Sequence, residues 1–495
     1  MLTESASRYD VPAMTDPLEP SIREAMADLQ AGRLAPGVEK LRGVLAARPD
    51  FAELWSNLGY GLRAMGRPAE AREALGRAVQ LQPALADAWN LLGLVAHDEG
   101  GYEEAEGHYD RALRLKAGFV EALMNRANAR QAAGRSDAAL ADYAQALQVA
   151  PGNAQVHYNL GHLFHKATGD LDRALGSYRE AVRLEPGFAM AHHNLSHALF
   201  LRGDLDEAWR ESRWRPSRMQ AEAALARNQA RYFFPKRGAL GRTRVVVVAE
   251  QGLGDVLFYL RFAPRLRELG ATLDFAGPQR LHGMLARTGL FERLGLATDP
   301  MHVPGAFELL AGDMPLLLEQ EMGEVPLPPP LPLVAESSRV ERLLGRLREL
   351  GPAPYVALAW RSGTPRTGPF ERLFKEAPVD ALRGILAGKP GTLVSVQREP
   401  RDGETAALAE ALGRPVHDFS GVNPDLDDAL ALMSAAGDYV GVSSTLLHLR
   451  AGTGGGGTVL VPFPWEWRWM AKGASPWFPG VKPVREQPGG GWDYG

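Results

Sequence analysis

The sequence predicts an α+α/β protein, in which an all-α superhelix of repeats is followed by a pair of Rossmann-like α/β lobes. Three observations lead to this prediction. A pattern of 34 residues recurs through the first half of the chain. Beyond residue 243, apolar runs rich in β-branched residues alternate with amphipathic segments. A proline-rich stretch, 324–334, interrupts that alternation and predicts a hinge between two lobes.

The composition is that of an ordinary globular protein with several domains. The chain has 495 residues, too many for one core, with 45% hydrophobic and 23% charged residues. A formal net charge of -4 does not indicate a nucleic-acid partner. No apolar run approaches the about 20 residues that span a bilayer, and the start lacks a leader pattern, so a cytoplasmic location is expected. The absence of cysteine excludes disulfides and thiolate metal sites.

Four consecutive segments align, the first three 34 residues long and the fourth with one extra residue. Small and aromatic residues return where paired helices touch, and prolines end the units. This is the tetratricopeptide pattern, whose superhelix has a concave groove that usually binds a peptide or protein. The segments are 52–85, 86–119, 120–153 and 154–188, with a degenerate unit before them (22–50) and a last unit after them (189–215). The recurring residues include Trp55 and Trp89; Ala71, Ala105, Ala139 and Ala174; Tyr109, Tyr143 and Tyr178; and Pro83, Pro151 and Pro186.

Asparagine recurs at one place on the first helix of the units, except that Asn90 stands one residue earlier. Asparagine is a poor residue for a helix interior, so its recurrence needs a reason. Its amide donates and accepts, which suits binding a peptide backbone, and the pattern resembles the asparagine ladder of the protein O-GlcNAc transferases. The alternative is that these side chains cap or bridge neighbouring helices. The candidate peptide-binding residues are Asn57, Asn90, Asn125, Asn159 and Asn194.

Histidines are dense in the last two units, and His193 and His197 share a helix face. No carboxylate or cysteine completes a familiar ligand spacing, so no metal site is predicted. Together with His162, these two histidines are expected to face the groove and to contact a partner.

The second half reads as two doubly wound sheets. In the first lobe, strands are predicted at 245–250 and 271–276, with a helix at 253–269 between them. Two such lobes with a cleft between them describe the GT-B architecture; a periplasmic-type binding protein has the same plan but needs an export signal. In the second lobe, strands are predicted at 355–360, 392–397, 438–444 and 457–463. The predicted domains are a disordered start (1–19), the repeat array (20–215), a linker (216–242), the lobes (243–335 and 336–480) and a flexible tail (481–495).

Four motifs of the second half carry a resemblance to a known family. They are "EQGLGDVLFYLRF", "VALAWRSGTP", "LVSVQRE" and "GVSSTLLHLRAG" followed by "VLVPFPWEWRW". In this order they resemble the tetratricopeptide-linked branch of the heptosyltransferase-like (family 9) glycosyltransferases, over roughly residues 52–477. The layout is also similar to that of some bacterial flagellin glycosyltransferases. The resemblance implies a metal-independent transferase with no tightly bound cofactor and a nucleotide-sugar as its donor substrate.

The resemblance suggests a role for the glycine loop that follows the first strand of the first lobe. The family's general-base candidate matches Asp255, which could deprotonate an acceptor hydroxyl. Gly252 and Gly254 would let backbone N–H groups approach the acceptor or a phosphate. The alternative role for Asp255 is to cap the first turn of the helix.

The second lobe is expected to bind the nucleotide-sugar. Arg361 follows a strand end and could neutralise the diphosphate, whereas Gln397 could contact the base or ribose. Ser443 departs from the family, which usually has aspartate at that place. The run of four glycines at 454–457 is a second departure. The candidate donor-binding residues are Arg361, Ser362, Gly363, Gln397, Arg398, Ser443, Ser444, Thr445 and His448.

Two functions of different classes follow from these patterns. The first is transfer of a sugar from a nucleotide-sugar to a hydroxyl of a protein, with flagellin as a candidate, held by the repeat groove. The alternative is a non-catalytic adaptor whose lobes are a degenerate nucleotide-sugar-binding module. A transferase needs an open polar gap around Asp255, whereas an adaptor could fill that gap with side chains.

Overall fold

The computed structural model describes residues 18–226, 236–238, 240–241, 243–250, 252–296, 306–363 and 375–494. The chain divides into two compact units. The first unit comprises residues 1–168 and 180–186, and the second comprises 169–179 and 187–495. Most of the predicted disordered start, and residues 227–235 of the predicted linker, lie outside the described residues.

The described part of the first unit is helical, and its helices pack in consecutive pairs. Glycines with positive φ follow the first helix of successive pairs: Gly66 at 71°, Gly100 at 82° and Gly134 at 76°. Glycine adopts this conformation without steric cost, so the chain can turn sharply into the second helix. The helices are α1 (Glu19–Gln30), α2 (Leu34–Ala47), α3 (Ala52–Ala64), α4 (Pro68–Leu81), α5 (Ala86–Asp98), α6 (Tyr102–Leu115), α7 (Val120–Ala132), α8 (Ser136–Val149) and α9 (Ala154–Leu163), with α10 (Leu171–Leu184) divided between the two units.

The core of the first unit uses the recurring small and aromatic residues. Ala71, Ala105 and Tyr109 are fully buried. A Cβ atom placed on Gly93 would lie 2.4 Å from the Tyr109 ring, so the glycine provides the space that the tyrosine fills. The predicted contact positions of the repeats are therefore confirmed.

The extra residue of the fourth repeat is taken up by a change of helix type. α9 passes directly into a π-helical turn, Phe164–Thr168. A π turn holds one more residue per turn than an α-helix, so the insertion does not displace the rest of the unit. His165 is buried in this turn.

Apart from residues 169–179, the second unit begins with the last repeat, which packs onto the α/β part. Trp209 contacts Phe262 edge to face, with 5.8 Å between the ring centroids. The predicted boundary at 215–216 is therefore not a boundary between the two compact units, because these aromatic side chains join the repeat to the lobe. The helices are α11 (Ala189–Arg202), α12 (Leu205–Glu211) and α13 (Pro216–Ala226), with a 3-10 turn at Ser212–Trp214.

The first sheet of this unit has the order β3-β2-β1-β4, and all its described pairs are parallel. The helix predicted at 253–269 is two helices, because Pro264 cannot donate the backbone hydrogen bond that a continuous helix needs. The strands are β1 (Arg244–Val248), β2 (Thr272–Ala276), β3 (Leu294–Gly295) and β4 (Phe307–Leu310). The helices are α14 (Leu253–Leu260), α15 (Ala263–Glu268), α16 (His282–Thr288) and α17 (Met314–Met322), with 3-10 turns at Gln279–Leu281 and Ala311–Asp313.

The second sheet has the order β13-β12-β11-β10-β5-β8-β9 and is parallel except at β12–β13. Parallel sheets with intervening helices confirm an α/β region after the repeats. The strands are β5 (Tyr355–Ala359), β8 (Thr392–Ser395), β9 (Val416–Asp418), β10 (Asp438–Val442), β11 (Gly457–Val461), β12 (Val481–Glu486) and β13 (Trp492–Asp493), beside a separate pair, β6 (Arg361–Ser362) and β7 (Lys375–Glu376). The helices are α18 (Ser337–Leu350), α19 (Val379–Leu386), α20 (Glu404–Leu412), α21 (Leu426–Ala435) and α22 (Thr445–Gly452), with 3-10 turns at Ser420–Val422 and Trp467–Trp469.

The C-terminal segment differs from the prediction of a flexible tail at 481–495. It forms β12, which pairs with β11, and β13, which pairs with β12. Val481 and Val484 are buried, and their burial fixes the strand on the sheet. The sequence did not predict this strand, because the segment is rich in glycine and proline.

No helix in the described ranges is long and apolar enough to cross a membrane.

Candidate functional site

Asp255 lies in the first turn of α14, after the carboxyl end of β1. Its Oδ2 accepts the backbone N–H of Gly252 at 3.2 Å, and its Oδ1 pairs with the guanidinium of Arg468. The first contact is the capping role that the sequence left open. The Asp255 side chain is 27% exposed, so both contacts leave part of the carboxylate accessible.

Gly254 brings α14 close to the second lobe. A Cβ atom at this position would lie 3.2 Å from Cδ2 of His448. The glycine therefore permits a close approach between α14 and α22, and the structure brings Asp255 and His448 to one place.

A chain of alternating charges continues from Asp255. Arg468 donates to Glu466 Oε1 at 2.6 Å, and Glu466 Oε2 pairs with Lys375. Lys375 also donates to the backbone carbonyl of Ser443 at 3.4 Å. These residues, Asp255–Arg468–Glu466–Lys375, are called the charge chain below.

Burial and ion pairing have opposite effects on the ionisation of the charge chain. Burial alone would raise the pKa of Glu466, but the positive charges of Lys375 and Arg468 lower it below its ordinary value. Burial opposes the charge of Arg468 as well, yet Asp255 and Glu466 raise its pKa above the ordinary value. Both groups therefore stay ionised at neutral pH.

His448 and the turn before it lie at the end of β10. Burial, with the charges of Arg468 and Arg261, holds the pKa of His448 well below its ordinary value, so the ring is neutral. The ring lies 5.3 Å from Phe478 and 6.4 Å from Phe258, measured between centroids. Ser443 is buried, and the Ser444 hydroxyl lies 3.2 Å from the Tyr439 hydroxyl. Thr445 begins α22, and Lys375 Nζ contacts the carbonyl of Ser443, two residues before it.

The other donor-binding candidates form a second cluster. Arg361 pairs with Glu404, and Trp360 donates its indole N–H to the same carboxylate at 2.9 Å. Gln397 accepts the backbone N–H groups of Trp360 and Arg361 at 3.1 and 2.9 Å, and it donates to the carbonyls of Arg361 and Arg398 at 3.1 and 2.9 Å. The amide thereby uses its full capacity within the chain and holds two strand ends together.

The remaining residues of that cluster are at its edge. Arg398 is exposed and pairs with Glu399 at 2.9 Å. Ser362 pairs with Lys375 in the β6–β7 ladder, and Gly363 has a φ of 91° just before residues that the structure does not describe.

Two cavities accompany these clusters. One, of about 50 Å³, is lined by residues that include Lys375, Ser443 and Glu466. The other, of about 420 Å³, is lined by residues that include Trp360 and Glu404. Ligand pockets usually measure about 300–1,000 Å³, so only the second has the size of one.

A second buried ionic cluster anchors the loop that leads to Asp255. Glu250 accepts the Gly312 backbone N–H at 2.6 Å and pairs with Arg215 at 3.0 Å, and Arg215 pairs with Asp313 at 2.7 Å. Burial would lower the pKa of Arg215, but the two carboxylates raise it above its ordinary value. The end of β1 is thus tied to the end of the last repeat.

The asparagines of the repeats make contacts within the chain. Asn57 and Asn90 are buried, and Asn125 donates to Asn90 Oδ1 at 3.0 Å. That bond bridges α5 and α7, as the alternative reading of the pattern requires. Asn159 accepts from Gln155 at 2.9 Å on the same helix, and Asn194 lies on α11 in the second unit. Peptide binding by these residues stays a prediction.

Across the described ranges, no group of three or more histidine, aspartate or glutamate side chains is arranged to hold a metal ion. His193 and His197 do lie together, with 4.4 Å between their ring centroids.

Sequence reasoning assigned no role to Lys375, and for the run 465–469 it left open whether Glu466 and Arg468 line the cleft or pack one lobe against the other. The run "WEWRW" carried a signal, because a glutamate and an arginine stand between tryptophans that pack in a core. Lys375 had no such signal, since it follows residues 366–374, in which no motif stands out.

The family model that matches this chain covers its helical part. The family described as Tetratricopeptide repeat matches residues 56–118, 124–184 and 165–212. Protein FlbA of Caulobacter vibrioides is 27% identical over 269 residues, which cover 50% of this chain and 44% of FlbA. The aligned region thus spans less than half of that relative.

Solved structures of repeat proteins also resemble part of the chain. TTC0263, a repeat protein of Thermus thermophilus, is 20% identical, with a TM-score of 0.34 over 37% of this chain and 100% of its own. YrrB, described as a tetratricopeptide repeat protein with an unusual peptide-binding site, is 19% identical, with a TM-score of 0.30 over 38% of this chain and 99% of its own. On the family match, the helical part of this chain is an array of tetratricopeptide repeats.

Proposed function

We propose that the protein is a glycosyltransferase that moves a sugar from a nucleotide-sugar to a hydroxyl of a protein bound by the repeats. The observation that carries the proposal is the meeting of Asp255 with the turn at Ser443–His448, with Gly254 packed against His448. This arrangement joins a partly exposed carboxylate to the start of a helix that has a lysine beside it. A GT-B pairing of the two parallel sheets is part of the proposal.

The chemistry follows from these groups. The acceptor hydroxyl oxygen bonds to the anomeric carbon as Asp255 takes its proton. The bond from that carbon to the diphosphate breaks, and the electron pair leaves with the nucleoside diphosphate. Lys375 and the N–H groups at the start of α22 offset the negative charge of the departing group. No metal is needed, because these groups supply both the base and the positive charge.

The repeats support a protein acceptor. Tetratricopeptide arrays present a groove for an extended segment, and the second unit includes the last repeat together with both sheets. Flagellin is the candidate acceptor, on the resemblance of the whole layout.

The alternative function is a non-catalytic adaptor. Three observations favour it: Arg468 neutralises Asp255, Arg361 is paired with Glu404, and the cavity beside Ser443 is only about 50 Å³. An adaptor would bind its partner through the repeats and would bind a nucleotide-sugar without consuming it.

Intact-mass measurement of flagellin distinguishes the two functions. Flagellin is purified from cells that carry the native chain, Asp255→Ala or Asp380→Ala. Asp380 is the matched control, because it is a first-turn aspartate of α19 whose side chain is 88% exposed. The transferase predicts a sugar mass with the native chain and Asp380→Ala that is lost with Asp255→Ala. Equal masses with all three chains contradict flagellin as the acceptor, and the donor assay that closes the Discussion tests the transferase itself.

A further inference from the structure

The segment that follows β11 contacts both the last repeat and α14. The 3-10 turn Trp467–Trp469 lies at the centre of this segment. Two consecutive residues in the turn face different partners. Trp467 faces the last repeat, and Arg468 faces the carboxylate of Asp255.

Arg468 is buried among groups that fix its orientation. It pairs with Asp255 and Glu466, and its guanidinium lies over the rings of Phe258 and Trp467 at 4.7 and 4.6 Å. Ion pairs and ring faces on several sides leave the guanidinium few alternative positions.

Trp467 fixes the turn against the repeat. Its ring is stacked on Phe200 of α11 at 4.5 Å and touches Trp209 of α12 edge to face at 6.2 Å. Close by in the same segment, the backbone N–H of Ala471 donates to the Leu201 carbonyl at 2.8 Å. The position of Arg468 is therefore set by the last repeat and not only by the sheet.

We propose that Arg468 is a positioning residue that orients the general base Asp255, with Trp467 anchoring it to the last repeat. This inference rests on the transferase function proposed above. Gly252 holds one oxygen of the carboxylate and Arg468 holds the other, so the two contacts together set the plane of the base. A base that turns away by about 1 Å is expected to lose about 100-fold in rate.

The test measures release of nucleoside diphosphate from UDP-, GDP- and ADP-linked sugars, with water as the acceptor. The chains are the native protein, Arg468→Gln, Arg468→Lys, Asp255→Asn and Arg485→Gln. Arg485 is the matched control, because this buried arginine binds the carbonyls of Trp469, Met470 and Gly473 in the same segment but not Asp255.

Arg468→Gln is expected to lower kcat by about 100-fold and to leave the donor KM nearly unchanged. Arg468→Lys should also lower kcat, since a point charge lacks the two-pronged geometry with which Arg468 binds Asp255 and Glu466. Arg485→Gln should lower the melting temperature without a comparable loss of kcat.

Each other outcome counts against a specific claim. If Arg468→Gln matches the native chain in kcat while Asp255→Asn is inactive, the positioning role is overturned. A full native kcat in Arg468→Lys also overturns the positioning role. This variant still tests the role if Arg468→Gln does not fold. If Asp255→Asn keeps native activity, or if the native chain releases no nucleoside diphosphate from any of the donors, the proposed function fails, and the inference fails with it.

Discussion

Two buried ionic networks, one in each unit, differ in how far apart their members lie along the chain. In the third repeat, Asp142 binds Arg126 at 2.6 Å and Arg130 at 2.8 Å, and these partners are 16 and 12 residues away. In the charge chain, Arg468 binds Asp255 from 213 residues away, and Glu466 binds Lys375 from 91 residues away. The first network replaces apolar packing inside one repeat, whereas the second joins separate elements around a partly exposed carboxylate.

The two networks have different roles. Leu58, Leu92 and Leu160 occupy the place of Arg126 in the other repeats, so a leucine satisfies the fold there. The charge chain has no apolar equivalent, because it ends at a carboxylate that faces solvent. The first network is expected to matter for stability alone, and the second for activity.

The largest expected effect on stability is that of Asp142→Ala. It removes the carboxylate that Arg126 and Arg130 share, leaving them Asp110 and Glu106 as partners, and should destabilise α7 and α8 by about 3 kcal/mol, the lower end of the range for breaking a buried ion pair. Hydrogen exchange of these two helices measures the loss. Combining Asp142→Ala with Arg126→Leu and Arg130→Leu should restore most of the lost stability, because apolar replacement of a buried ion cluster is often neutral. A triple variant less stable than Asp142→Ala would show that the network is not exchangeable.

Trp467→Ala is expected to cost the second unit about 3 kcal/mol, the lower end of the range for truncating a packed tryptophan. Exchange should rise in α11, α12 and α14, since Trp467 contacts Phe200, Trp209 and Phe258. Trp55→Ala is the control in the repeats, where the half-buried indole donates to the Pro49 carbonyl at 2.9 Å. Increased exchange confined to α14 would contradict the anchoring of the turn to the last repeat.

Two glycine-to-alanine substitutions compare how closely side chains pack against glycine in the two units. Gly93→Ala places a methyl group 2.4 Å from Tyr109 and should cost about 1–3 kcal/mol through overpacking. Gly254→Ala meets His448 at 3.2 Å and should cost less, because a small shift relieves the contact and alanine favours the helix. Thermal unfolding of both variants checks the order, and a larger loss for Gly254→Ala would reverse it.

The smallest expected effect is on the pH dependence of stability, and both units should show it. Burial, with the charge of Lys166 for His165 and of Arg468 for His448, holds the pKa of each histidine well below its ordinary value. The unfolded chain takes up these protons at about pH 6.5, so stability is complete above that pH and falls by about 1.4 kcal/mol per histidine for each pH unit below it.

Unfolding at pH 7.5, 6.5 and 5.5 measures this slope in the native chain, His165→Gln and His448→Gln. Each variant should lose the contribution of one histidine. If stability depends on pH as steeply in both variants as in the native chain, these histidines do not titrate on unfolding.

Much of the repeat architecture could be predicted from the sequence, because its contacts are local and periodic. Ala71, Ala105 and Tyr109 recur at fixed intervals, and the same interval places them in the core. The π turn at Phe164–Thr168 follows from the single extra residue, although its helix type could not be read from the pattern.

The site could be predicted only in part. The glycine loop and the turn at Ser443–His448 were found because glycines and hydroxyl residues at strand ends form a local signal. The partners of Asp255 come from distant parts of the chain, and no local pattern pairs Arg468 with it. The engagement of Gln397 with Arg361 and Trp360 was hidden for the same reason.

The measurement that tests the central claim most directly is nucleoside diphosphate release from UDP-, GDP- and ADP-linked sugars by the native chain, Asp255→Asn and Asp380→Asn. A catalytic base predicts that the native chain and Asp380→Asn consume one class of donor, and that Asp255→Asn binds this donor but consumes it about 100- to 10,000-fold more slowly. Binding of a nucleotide-sugar without consumption by any of the three chains would contradict the transferase and establish the adaptor.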